Sequence, residues 1–260
     1  MFTQFSQFKN YVRFLYFFGI VLIAINDIAW AKSGDKKLPD YIHLCKKEDP
    51  ELNKCLVNLF ESLRPKLGQG IPEIELPPLD PLILHEIVIF PGGNGKMKLF
   101  AHEVKVTGVK NLKINRVKVN IKKLEVEVSV YFPFLHFEGM YDVNARFLQF
   151  VVKGKGPLKG NATEVTGLAL LKGKFIQIKD ERYVEFYSAN VDVNLRSYQI
   201  RIEKALPNKE INNELNNLLN DPTVVPVETI KPLMNKLAST MLLDMVNKIS
   251  KNLSFDKIFN

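Results

Sequence analysis

Residues 230–253 read IKPLMNKLASTMLLDMVNKISKNL, and this stretch decides what kind of fold the chain can adopt. Its apolar residues recur at every third and fourth position, which is the spacing of one face of an α-helix. At 1.5 Å per residue, a helix of some 25 residues is about 37 Å long. Strands are usually shorter than that, so the helix must lie along a long or strongly curved sheet. The apolar positions are Ile230, Leu233, Met234, Leu237, Ala238, Met241, Leu242, Met245, Val246, Ile249 and Leu253.

Residues 82–203 supply the predicted sheet. Apolar and polar residues alternate through Val117–Ile121 and Leu124–Phe132, which is the period of a strand with one buried face. The apolar phase changes at Lys122–Lys123, and this change predicts a turn or a bulge. Long strands joined by short turns favour an antiparallel meander. Further turns are predicted at Gly92–Gly95, Gly108, Gly154–Pro157, Gly173 and Lys179–Asp180.

Two shorter helices are predicted on either side of the sheet region. The first begins at Asp49–Pro50, with Asp49 as its N-cap and the proline in its first turn. The second carries one apolar stripe within Ile211–Leu219. The Pro-rich residues 71–81 between the first helix and the sheet are interpreted as an extended connector, because apolar residues alternate through them.

The N-terminus has the pattern of a secretory signal. Positive charge at Lys9 and Arg13 precedes the apolar run Phe14–Ile25, and Ala29-Trp30-Ala31 offers a cleavage site. The run is shorter than the roughly 20 apolar residues that cross a bilayer, although an uncleaved anchor is the alternative. We therefore expect residues 1–31 to be removed and residues 32–260 to form one secreted, extracellular domain.

Cysteine usage and glycosylation signals agree with export. The chain holds two cysteines, Cys45 and Cys55, and an even count in a secreted protein predicts a disulfide between them. Two sequons are present, at Asn161 in a predicted glycine-rich turn and at Asn252 at the end of the long helix. Both asparagines are candidate glycosylation sites.

Composition and motifs argue against several classes of function. The net charge of +8 is spread over dispersed lysines, and no motif that reads or stacks bases is present, so nucleic acid is not an expected partner. The four histidines are scattered, without metal-ligand spacing or a Gly-x-Ser-x-Gly elbow. Gly154-Lys155-Gly156 lacks the third glycine of a nucleotide-binding loop. We expect no enzyme activity, no metal and no cofactor.

An ordered set of segments resembles the insect takeout and haemolymph juvenile-hormone-binding protein family. The set begins with the two N-terminal cysteines and ends with the C-terminal Phe255–Phe259. The resemblance implies an α+β fold in which a strongly curved antiparallel sheet wraps the long C-terminal helix around an internal apolar tunnel. It also implies a monomeric secreted carrier of a small hydrophobic ligand, such as a juvenile-hormone-like terpenoid, a fatty acid or a related lipid. The segments between are Pro77–Pro81, Pro133–Val143, Gly154–Gly156 and Ile230–Pro232.

Within that picture, Tyr141 is the predicted polar group of the pocket, and its alternative is a tyrosine bonded to backbone. The other candidates are aromatic residues of the sheet and flexible residues of the helix, for which plain core packing is the alternative. The second hypothesis for the whole chain is a secreted interaction protein that meets a receptor or a membrane through its surface. The further ligand-binding candidates are Phe132, Phe134, Phe150, Met234, Leu237, Met241 and Met245.

Overall fold

The computed structural model describes Pro39 and residues 41–90, 97–147, 150–178 and 180–258. The predicted signal segment and the predicted turn at Gly92–Gly95 lie outside these residues. Within them, the chain forms one seven-stranded antiparallel sheet and four α-helices. The strands are β1 (Leu82–Phe90), β2 (Met97–Thr107), β3 (Lys113–Asn120), β4 (Glu125–Phe147), β5 (Phe150–Ile178), β6 (Glu181–Asn194) and β7 (Ser197–Ile202). The helices are α1 (Leu52–Leu67), α2 (Lys209–Asn220), α3 (Val227–Asn252) and α4 (Phe255–Ile258).

Two long strands, β4 and β5, form the centre of the sheet, and the whole of β4 pairs with residues 150–172 of β5. Each is flanked by different short strands at its two ends. In what we call the first half, β2 pairs β4 over residues 136–145, β7 pairs β5 over residues 158–163, and β1 pairs β2. In the second half, β3 pairs β4 over residues 125–131 and β6 pairs β5 over residues 166–178.

The two halves present their buried faces in different phase along the strands. In β5, Gly156 and Leu158 are buried before Glu164, whereas Val165 and Ala169 are buried after it. Glu164 has a φ of 48°, a left-handed conformation that shifts the alternation by one residue. Residues directly opposite in β4 share a face with their partners, so β4 changes phase too. This exchange lies within a sheet that curls into a half-barrel.

The glycine-rich segments at Gly154–Pro157 and Gly173 are not turns, as was predicted, but lie inside β5. A side chain at Gly156 would overlap the carbonyl oxygen of Glu203, and one at Gly154 would come within 2.9 Å of the carbonyl oxygen of Lys204. These glycines therefore allow the chain beyond β7 to approach the strand closely. The turns predicted at Gly108 and at Lys122–Lys123 are confirmed.

The N-terminal helix is tied down by the predicted disulfide, because Cys45 and Cys55 are bonded. The predicted N-cap is wrong: α1 begins at Leu52 after Glu51, which makes no side-chain cap. Asp49 instead accepts a hydrogen bond from the N–H of Glu51 at 2.7 Å, the local turn that aspartate commonly forms with the residue two positions later. The connector residues Ile71 and Leu76 are buried, so this segment is packed.

Helix α2 holds the outer edge of β7 with asparagines spaced four residues apart. Asn216 accepts from the N–H of Ile202 at 2.8 Å and donates to its C=O at 2.9 Å. Asn220 makes the same pair of bonds with Ile200, both at 2.7 Å. Four residues of a helix rise about 6.0 Å, and two residues of a strand rise about 6.6 Å. Asparagines four positions apart in α2 therefore match backbone groups two positions apart in β7. We call Asn212, Asn216 and Asn220 the asparagine ladder, since it takes the place of a neighbouring strand.

Helix α3 lies along the outer edge of β6 in the same manner. Asn235 and Ser239 accept from the N–H groups of Val193 and Val191 at 2.8 and 3.0 Å. Asn247 bonds both the N–H and the C=O of Phe186, each at 2.8 Å. These contacts fix the rotation of the helix about its axis. The side of α3 that faces the edge, here named the edge row, comprises Lys231, Asn235, Ser239, Leu243 and Asn247.

Candidate functional site

The interior of the first half is filled by a compact core. Tyr141 and Leu215 are 2% and 1% exposed, and the aliphatic side chains around them are equally closed to solvent. Protein cores packed in this way leave few voids larger than a water molecule. Partly buried hydrophobic side chains pack against this core, Leu237 of α3 among them. The buried members of this core are Ile87, Ala101, Val104, Tyr141, Val143, Leu158, Ala205 and Leu215.

The interior of the second half is lined by apolar side chains. The edge row fixes the rotation of α3. Two further rows of apolar side chains, here called the inner rows, therefore lie on the side of the helix opposite its solvent-exposed residues. Leu237 of the inner rows packs on the core of the first half. Every apolar side chain of the inner rows is only half-buried, and the one fully buried residue of α3 is Ser250. The inner rows are Ile230, Met234, Ala238, Leu242 and Val246, and Leu233, Leu237, Met241, Met245 and Ile249.

The sheet opposite α3 has the same character. Small residues of β5 such as Ala169 are buried, whereas the larger residues of β4 that share their face, Val128 and Phe132 among them, are half-buried. Side chains in a filled interior would be closed off on all sides. The inner rows of α3 and the β4 part of the sheet are thus partly exposed, whereas the β5 part of the sheet is largely buried. The wall on the sheet side is Val117, Val119, Val126, Val128, Val130, Phe132, Val165, Ala169, Leu171, Ala189, Val191 and Val193, which includes no charged residue.

A cluster of aromatic and charged residues lies where α3 ends. The ring of Phe255 packs edge-on against that of Phe175 with 5.0 Å between ring centroids, and the Arg182 guanidinium lies over both rings. Arg182 also pairs with Asp256, and this hydrogen bond lowers the pKa of the Asp256 carboxyl and raises that of the arginine. Leu253, Ser254 and Phe255 are buried, so the C-terminal turn covers this end of the helix.

Tyr141, the predicted polar group, lies in the filled core of the first half. Its hydroxyl donates to the carbonyl oxygen of Glu203 at 2.5 Å, which is the alternative stated for it from the sequence. Burial, followed by the charge of Glu203, raises the pKa of the tyrosine to about 12. The phenol therefore stays protonated and engaged with backbone, and its role as a contact for a ligand stays a prediction.

The other predicted site residues fall into three groups. Phe132 is half-buried in the wall, opposite Val165. Phe134 is 46% exposed near the point where the strands change phase, outside the half-buried wall. The side chain of Phe150 lies outside the described residues. All four predicted helix residues, Met234, Leu237, Met241 and Met245, lie in the inner rows of α3.

The two sequons have different surroundings. Asn161 lies inside β5 and not in the predicted turn, and its Oδ1 is 2.7 Å from Nδ1 of His136. Asn252 is the last residue of α3, and its amide donates to the carbonyl oxygen of Lys248 at 2.9 Å. Glycosylation of either asparagine stays a prediction.

Reasoning from the sequence missed both sets of helix-to-edge contacts. The signal for them was present, since asparagine recurs at four-residue spacing in Asn212, Asn216 and Asn220. It also missed Ser250 and Ser254, which are buried at the C-terminal end of α3. Small polar residues next to an apolar helix face give no sequence signal of their own.

The described residues include neither a metal-binding cluster nor a membrane-spanning helix. Among these residues, no group of three or more His, Cys, Asp or Glu side chains could hold a metal ion. The described helices include none with the length and hydropathy needed to span a membrane. A cleft of about 500 Å³ beside the disulfide opens to solvent, and charged and polar residues make up most of its lining. That lining is His43, Asp49, Glu51, Lys54, Cys55, Asn58, Leu59 and Ser62.

The fold and its interior define a class of protein, in which a curled antiparallel sheet faces a long amphipathic helix across an apolar interior. The family model described as haemolymph juvenile hormone binding protein matches residues 20–260. The chain therefore belongs to the haemolymph juvenile hormone binding protein family, as the resemblance in sequence had predicted. The family, which includes the takeout-like proteins, is one of hydrophobic ligand binders.

Individual relatives are distant in sequence and similar in extent. The chain is 22% identical over 241 residues to the circadian clock-controlled protein daywake of Drosophila melanogaster, which covers 88% of this chain and 86% of the relative. It is 20% identical over 253 residues to daywake of Drosophila yakuba, covering 92% and 96%. The crystal structure of Epiphyas postvittana Takeout 1 superimposes with a TM-score of 0.68 at 21% identity, over 84% of this chain and 99% of that one. This likeness confirms the predicted fold class.

Proposed function

We propose that this protein is a secreted carrier that holds one small hydrophobic ligand between α3 and the second half of the sheet. The observation that carries the proposal is the inner face of α3, on which no apolar side chain is fully buried. Burial of apolar surface yields about 25 cal/mol per Å² before the costs of association. A molecule bound there would remove the half-buried side chains of α3 and β4 from water, and the methionines of α3 would adapt to its shape.

Secretion is part of the same proposal. The N-terminal pattern described above supports export, and so does the disulfide, which persists in oxidising compartments. We expect N-terminal sequencing of the protein secreted by an animal cell line to begin at Lys32. A chain retained in the membrane at its full length would contradict this part of the proposal.

The carrier proposal is tested by filling the space from the helix. Ala238 lies in an inner row of α3 and is half-buried, whereas Thr240 lies on the exposed side of the same helix. Native mass spectrometry of protein purified without detergent should show one apolar passenger on the wild type. We expect Ala238→Trp to lower passenger occupancy at least tenfold, because the indole takes up the volume that the ligand requires. Thr240→Trp should leave occupancy unchanged, and equal occupancy in all three proteins would contradict the proposed location.

The uncharged wall also predicts which ligands are excluded. Burial of a carboxylate without a partner is strongly unfavourable, so an ionised fatty acid should bind less well than its neutral methyl ester. At pH 7 we expect the ester to displace half of a bound fluorescent apolar probe at a concentration at least tenfold lower than the acid of equal chain length requires. Equal concentrations would mean that a cation reaches the ligand, which contradicts the composition of the wall.

A further inference from the structure

We propose that the hydroxyl of Ser254 is the hydrogen-bonding partner for the one polar end of the ligand. This inference rests on the carrier function proposed above and adds to it a place and a chemical class. The ligand would lie with its hydrocarbon part along the inner rows of α3 and with an oxygen atom at the C-terminal end of that helix.

The first argument is that Ser254 is buried without a partner. It is 2% exposed, and its Oγ has no hydrogen-bond partner among the described residues. Buried hydroxyl groups are nearly always hydrogen-bonded, since leaving one unpaired is unfavourable. The other buried polar side chains have partners, because Asn212 and Asn216 belong to the asparagine ladder and Ser250 lies 3.4 Å from the carbonyl oxygen of Asn247. Ser254 is thus the one buried side-chain hydroxyl in the described residues that still needs a partner.

The second argument is the place of this hydroxyl in the fold. The inner row that runs from Ile230 to Val246 continues at the same spacing to Ser250, and Ser254 follows two residues after the helix ends. Ser250 therefore ends this row, and Ser254 lies just beyond the helix in the buried C-terminal turn. Leu253 and Phe255, the neighbours of Ser254, are buried as well, and Phe255 packs on Phe175 of β5.

The surrounding charges specify what kind of oxygen would be accepted. Asp256 of this turn is paired with Arg182, which lies over the ring of Phe255, and the charge of Lys47 also acts on Asp256. Neither Arg182 nor Asp256 is left to neutralise a ligand. A serine hydroxyl can donate to a carbonyl or ether oxygen and can accept from a hydroxyl. The ligand class is therefore a neutral molecule with a long hydrocarbon part and a carbonyl, ester or hydroxyl group at one end.

The test compares two probes that differ by a single oxygen. Binding of tridecane and of 2-tridecanone is measured by displacement of N-phenyl-1-naphthylamine from the full secreted chain, in the wild type and in Ser254→Ala. Loss of one hydrogen bond should weaken binding of the ketone about tenfold and leave the alkane within about twofold. Because Ser254 completes the sequon of Asn252, Asn252→Gln is the matched control for loss of that sequon and should change neither value. Ser62→Ala, which alters an exposed serine of α1, should likewise change neither value.

A second readout separates a ligand contact from a structural role. Without any ligand, Ser254→Ala should have a urea midpoint at least as high as that of the wild type, since an unpaired hydroxyl has been removed. A lower midpoint, or equal changes in the affinities for the ketone and the alkane, would overturn the inference. Failure of the wild type to bind either probe would instead contradict the carrier function itself.

Discussion

Replacing Asn216 with leucine should lower the free energy of unfolding by about 1–3 kcal/mol. The side chain of Asn216 bonds both the N–H and the C=O of Ile202, and also the C=O of Asn212. Leucine has a similar size but cannot form these bonds, so the N–H of Ile202 at the edge of β7 would be left without a partner, whereas its C=O would keep the bond from Asn212 at 3.0 Å. One such unpaired group costs about 1–3 kcal/mol. Urea denaturation followed by far-UV circular dichroism measures the change.

Asn217 provides the control for this substitution. It lies next to Asn216 in the same helix but is exposed, so Asn217→Leu should change the stability by no more than about 0.5 kcal/mol. If the two variants lost the same stability, the loss would come from the helix itself and not from its attachment to the strand.

Replacing Gly156 with alanine should destabilise the protein by at least about 3 kcal/mol. The added methyl group would overlap the carbonyl oxygen of Glu203 and would come within 3.2 Å of the Tyr141 ring and hydroxyl. Because Tyr141 belongs to the buried core of the first half, the backbone beyond β7 would have to move outward. That movement would break the hydrogen bond from Tyr141 to Glu203. Thermal unfolding followed by tyrosine fluorescence reports the loss.

Gly68 serves as the matched glycine. It has a helical φ of −61°, and a methyl group there would meet its nearest neighbours at 3.7 and 3.8 Å, which is ordinary contact. Gly68→Ala should therefore be neutral or stabilise the protein by up to about 1 kcal/mol, because alanine has less freedom to lose on folding. A neutral result for Gly156→Ala would show that the chain beyond β7 is not held close to β5.

Local patterns predicted the elements of this fold but not the length of its central strands. The three-and-four spacing after Pro226 located α3, because a helix that buries one side needs that spacing wherever it packs. The same reasoning divided β5 at Gly154 and Gly173, since glycine usually marks a turn. In β5 the glycines are needed because other segments of the chain pack too closely for a side chain, as Glu203 does at Gly156 and Val184 does at Gly173. No local pattern carries that information.

The candidate site was predicted in part for a similar reason. Met234, Leu237, Met241 and Met245 were identified because they share one helix face, and the structure places them together in the inner rows. Tyr141 was chosen for its chemistry, yet its hydroxyl is used by a carbonyl group 62 positions later in the chain. Whether an apolar face is filled or faces a space depends on the curvature of the sheet opposite, which the sequence does not state.

One face of α3 attaches the helix to the sheet and other faces line the interior, and this separation affects how such a protein can diversify. The helix is attached by polar side chains that hydrogen-bond the backbone of β6. These bonds do not depend on which side chains β6 carries. The interior is lined by other faces of the same helix. Substitutions there can enlarge, narrow or reshape the space while the helix stays anchored. One scaffold can in this way acquire new cargo by a few changes in side-chain size, and distant relatives can keep a shared architecture at about one-fifth identity.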